Sequence, residues 1–95
     1  MGRSHHFHLD QDSHSITVNV GPGRSGEVEV LLDGEVIAYQ ASHDAGTTLL
    51  SGQLPEKPVR PFVVRVRQAH FAPLPPRCTL ELDGVEHLMP ERLVV

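Results

Sequence analysis

Val28-Glu29-Val30-Leu31-Leu32-Asp33-Gly34-Glu35-Val36 sets out two strands and the turn between them. Val28, Val30 and Leu32 alternate with Glu29 and Leu31, the period-two signature of a half-buried strand. Asp33-Gly34 follows, and both residue types tolerate the positive φ of a two-residue type I′ hairpin. The same pattern returns in Thr79-Leu80-Glu81-Leu82-Asp83-Gly84-Val85-Glu86.

Outward from this hairpin, alternation dominates. Phe7 and Leu9 oppose His6 and His8, while Ile16, Val18 and Val20 alternate with Thr17 and Asn19. Phe62, Val64 and Val66 alternate with Val63, Arg65 and Arg67. Residues 35–41 are apolar on both faces, which leaves two registers open and suggests a central strand or a face used for self-association. Residues 47–50 and 85–89 read as shorter strands, and 92–95 as a final edge strand or an ordered tail. No window carries apolar residues at i, i+3, i+4 and i+7 behind a proper cap. Six of the eight prolines fall between positions 55 and 76 and bracket the strand at 62–68. They read as rigid loops at the ends of the fold, because proline cannot donate to a ladder.

Short strands separated by turns predict one all-β domain over residues 1–95, a single antiparallel β-sandwich of seven or eight short strands. The predicted core is Phe7, Leu9, Ile16, Val18, Val20, Val28, Val30, Leu32, Ile37, Tyr39, Phe62, Val64, Val66, Leu80, Leu82 and Leu88. Composition agrees. The chain has 95 residues, 39% of them hydrophobic and only four aromatic, so its core must be aliphatic. One cysteine allows no intrachain disulfide, and no apolar run nears the roughly 20 residues of a membrane helix. The start has no apolar signal region; with the lone thiol, this points to the cytoplasm.

The order of parts also resembles a known family. A strand leads through a polar turn to His14-Ser15-Ile16-Thr17-Val18, then to Ser25-Gly26, then to an apolar strand ending in Asp33-Gly34, and much later to Thr79-Leu80-Glu81-Leu82-Asp83-Gly84. This is similar to one domain of the Fas apoptotic inhibitory molecule family, over about residues 5–91. The resemblance implies an antiparallel β-sandwich and a non-enzymatic interaction protein. It offers no catalytic motif to carry over, and the proline-rich middle, 41–78, departs from the family's pattern.

Few residues suggest chemistry. His6 and His8 share a strand face, close enough for both imidazoles to reach one ion; His5, Asp10, Asp12 and His14 are close in sequence, and His14 is the candidate third ligand. Zn²⁺ or Ni²⁺ would accept such a set. The competing reading makes His6 and His8 the solvent face of an edge strand. Four of the seven histidines lie within 5–14. Their protonation between about pH 7 and 5 is therefore expected to loosen the first strand by repulsion. Gly21, Gly23 and Gly26 match a dinucleotide-loop spacing, but a strand pattern follows where a helix is required. Pro55-Glu56-Lys57-Pro58-Val59-Arg60 matches a polyproline-ligand pattern and reads better as a stiff connection.

Arg65 and Arg67 share a face, with Arg60, Lys57, Arg77 and His70 near in sequence, a basic concentration of the kind that binds phosphate or nucleic acid. In a net acidic chain without interleaved aromatics, they are expected to pair with Glu27, Glu29, Glu81 or Glu86 and not to bind nucleic acid. Cys78 lacks a visible base or oxyanion site and reads as a buried thiol. The leading expectation is a non-enzymatic binding module for a protein partner or a second copy of itself. Leu31 and Val63 are the interface candidates, because both are apolar on the outward face of a strand.

Overall fold

The computed structural model describes residues 4–21, 27–41, 46–68 and 76–92. Nine strands are present among them: β1 (His5–Gln11), β2 (His14–Val20), β3 (Val28–Leu32), β4 (Glu35–Gln40), β5 (Gly46–Leu54), β6 (Arg60–Gln68), β7 (Arg77–Leu82), β8 (Val85–Leu88) and β9 (Glu91–Arg92). They form two antiparallel sheets, ordered β4-β3-β2-β1-β9 and β5-β6-β7-β8. The architecture is the β-sandwich the sequence predicts, with more strands than the expected seven or eight. The two-residue β9 falls at the start of the expected last strand, and β5 runs nine residues where 47–50 were expected.

Alternation explains the burial. One face of β2 contributes Ile16, Val18 and Val20, and one face of β3 contributes Val28, Val30 and Leu32. Phe62, Val64 and Val66 of β6 meet them from the second sheet, with Cys78, Leu80 and Leu82 of β7. Fully burying each of these side chains is worth about 1.5–3 kcal/mol relative to exposure. Three type I′-like turns bring the hairpins round: Asp12-Ser13, Asp33-Gly34 and Asp83-Gly84 all hold positive φ. The first has no glycine, and Asp is one of the few other residues that tolerates this region. The β5–β6 turn carries a cis Lys57–Pro58 bond. All four turns lie at one end of the sandwich.

Four expectations about the core need correction. A bulge opposite Val30 and Leu31 resets β4, so Ala38 faces inward and packs on the core. Ile37 and Tyr39 are instead 39% and 53% exposed. Leu88 is 67% exposed, and Met89, one residue beyond β8, is buried in its stead. Leu54, placed in no strand by its pattern, is fully buried at the end of β5. Leu9 only packs against the core from its margin. Pro61 lies inside β6, opposite Gln53 of β5, and not in a loop. The candidate dinucleotide loop at 22–26, the end of the predicted last strand at 93–95, and Pro73 and Pro75 lie outside the described residues.

Candidate functional site

The outer face of the first sheet is built from rungs that cross it. One rung runs Arg92, His6, Asn19, Glu29, Tyr39 over β9, β1, β2, β3 and β4. The next runs His8, Thr17, Leu31, Val36. In the first rung His6 Nδ1–H donates to Asn19 Oδ1 at 2.6 Å, and Asn19 Nδ2 donates to Glu29 Oε1 at 3.0 Å. In the second, His8 Nε2–H donates to Asp10 at 2.9 Å while its Nδ1, 3.0 Å away, accepts from the Thr17 hydroxyl. Each imidazole thus bonds its in-register neighbour through Nδ1.

His14 does not join them. It has the parity of Ile16 and Val18, so it faces the other side of the sheet, at the turn end. There Nδ1–H donates to Asp33 at 3.0 Å and Nε2 lies 3.5 Å from Glu56. The geometry brings His6 and His8 to one face and leaves His14 on the opposite one. Among the described residues no three His, Cys, Asp or Glu side chains are arranged to hold an ion. His5, His8 and His14 each lie beside a different carboxylate, of Glu91, Asp10 and Asp33.

Beyond the rungs lies the edge of the sheet. Val36, Ile37 and Tyr39 are exposed on β4, and Leu31 is half-buried beside Val36. Partial desolvation, and next the adjacent Glu27 carboxylate, push the Tyr39 phenol above its ordinary pKa. Sheet edges offer unpaired backbone groups, and proteins blunt them with charge, proline, bulges or brevity. β9 has two residues, both charged; β8 has four and contains Glu86 and His87; β5 has nine, none charged, with its ladder to β6 unbroken through Gly52. β4 has a single charge, Glu35, at its start, and its bulge turns a row of apolar side chains to solvent. Val63, the second interface candidate, is half-buried on the outer face of the other sheet. Leu31 and Val63 therefore cannot belong to one patch.

The turn end is a lock between sheets. Arg60 of β6 donates from Nε and Nη2 to Asp83, from Nη1 to Asp12 at 2.6 Å and more weakly to Glu56. The Arg60 guanidinium holds the Asp12 carboxyl below its ordinary pKa. Hydrogen bonds from His14 and the Ser15 amide do the same for Asp33. A depressed carboxylate stabilises the fold above its unfolded pKa, about 4, and that contribution disappears as pH falls through the folded value. The urea midpoint should therefore drop on acidification below about pH 4. Arg60→Gln should lower the midpoint at pH 7 and flatten this acid limb. A limb of unchanged steepness in the variant would show that Arg60 does not hold Asp12.

Cys78 is buried, and burial pushes its thiol up to about 12, which suits a core residue 3.6 Å from the Met89 sulfur and not a nucleophile. Of the expected arginine pairs, one forms: Arg65 Nη1 to Glu86 at 3.1 Å. Glu27 and Glu29 belong to the other sheet. Compared with protein-family models, curated proteins and solved structures, the chain matches none.

Proposed function

We propose that the chain is a non-catalytic interaction module that presents the β4 edge to a partner strand, and that the occupant is a second copy of itself. The observation that carries this is the apolar outer side of the β4 edge: Val36 and Tyr39 are 50% and 53% exposed on a strand with one charge, whereas β9, at the other edge of the same sheet, is two charged residues. Antiparallel pairing of β4 with its own copy, centred between Ile37 and Ala38, sets Val36 against Tyr39 of the partner subunit. Such aromatic–β-branched pairs stabilise sheets by about 0.2–1 kcal/mol each. Tyrosine is also among the residue types enriched at interfaces. The resemblance to a Fas apoptotic inhibitory molecule domain implies the same class of function.

Sedimentation tests the reading. Wild type should run as a dimer at about 100 μM, a concentration well above a micromolar dissociation constant. Val36→Lys should run as a monomer with unchanged circular dichroism, since lysine is a natural edge protector. Leu31→Glu should weaken the dimer and Val63→Glu should not. A monomeric wild type, or a Val36→Lys dimer, would refute it.

A further inference from the structure

The outer face of the second sheet holds a hollow of about 300 Å³ lined by Arg65, Arg67, Arg77, Thr79, Glu86 and Leu88. Its position follows from register. Arg67 of β6 stands directly opposite Arg77 of β7, and Arg65 opposite Thr79, which in turn opposes Leu88 of β8. Like charges directly opposite one another destabilise a sheet. Arg65 is neutralised by Glu86 at 3.1 Å. Among the described residues no carboxylate pairs with Arg67 or Arg77, so three guanidinium groups and one carboxylate leave the hollow with two uncompensated positive charges.

We propose that this hollow binds the phosphate group of a small phosphate monoester. Two facing guanidinium groups match the charge of a phosphate dianion, and their planar forks suit its oxygens. The Thr79 hydroxyl adds a neutral donor, and Leu88, exposed on the rim, offers an apolar wall to the esterified body. The volume lies at the small end of ligand pockets. A polyanion fits less well: Glu86 stands in the lining and Glu81 directly opposes it on β7, so charge along the face changes sign within a few residues. The Arg67–Arg77 repulsion is the cost of the empty site and is relieved when the anion arrives.

Thermal unfolding with phenyl phosphate at constant ionic strength tests this. The Tm of wild type should rise with phenyl phosphate, by about 5 °C or more at tenfold above Kd. Arg77→Thr should weaken binding about 10- to 100-fold. In ligand-free buffer the same variant should unfold about 1–5 °C higher than wild type, because it removes the like-charge pair. Arg67→Thr should behave alike, which keeps the test usable if one variant fails to fold. Glu86→Gln should tighten binding by freeing Arg65. A wild-type Tm indifferent to phenyl phosphate, or an equal rise in Arg77→Thr, overturns the proposal. So does a stronger response to a single-stranded oligonucleotide, which would assign the face to a polyanion.

Discussion

Leu54→Ala should lower the free energy of unfolding by about 2–5 kcal/mol, the range for removing a fully buried leucine and leaving its cavity. Leu54 is wholly enclosed at the last position of β5, and its neighbours are fixed by two sheets that cannot both collapse into the gap. Leu88→Ala is the matched control. That leucine has the same chemistry but is 67% exposed, so its loss should change stability by no more than about 0.5 kcal/mol. Urea unfolding of the two variants measures the difference directly. Equal costs would mean that Leu54 is not enclosed as described.

Gly52→Ala should destabilise the fold although alanine is only one methyl larger. Gly52 sits on the edge strand β5 opposite Phe62, whose ring covers the position a side chain would take. A Cβ there would lie 2.6 Å from Phe62 Cζ and 2.7 Å from Ile37 Cδ1. The Phe62 ring is buried and has little freedom to retreat. Overpacking of this kind costs about 1–3 kcal/mol. The reduced freedom of the unfolded chain returns about 0.4–1 kcal/mol. The steric cost is the larger, so the urea midpoint should fall. A midpoint at or above wild type would show that the ring and Ile37 move aside freely. The glycine thus fits an edge strand that is completed by its neighbour's aromatic ring.

The central strands were legible because both their neighbours are strands and one face of each must be buried. Ile16, Val18, Val28, Val30, Val64 and Leu80 follow from alternation alone, and Asp33-Gly34 and Asp83-Gly84 place the hairpins. Edges were less legible. A residue in an outer strand answers to solvent on one side, so its hydrophobicity no longer reports its direction. Tyr39 and Ile37 were misassigned for this reason, and the bulge that reverses β4 leaves no mark in residue type. Leu88 and Met89 exchange roles where β8 ends and the alternation lapses. The histidines had a usable signal. His6 and His8 oppose Phe7 and Leu9, whereas His14 shares the parity of Ile16, which already sets it on the other face. The pairing of Arg67 with Arg77 was not readable, because register between β6 and β7 depends on a connection that parity alone does not measure.

Six of the seven strand ladders join neighbours in the chain; the exception is β9 on β1. This has a kinetic consequence. Each sheet is a meander that can zip from its own tight turns, so little loop-closure entropy is lost before pairing begins to compensate. Long-range search is confined to laying one meander on the other, and β9 latches the end of the chain to its start only once both are in place. A sandwich wired this way should fold faster than one whose strands exchange between sheets at every step.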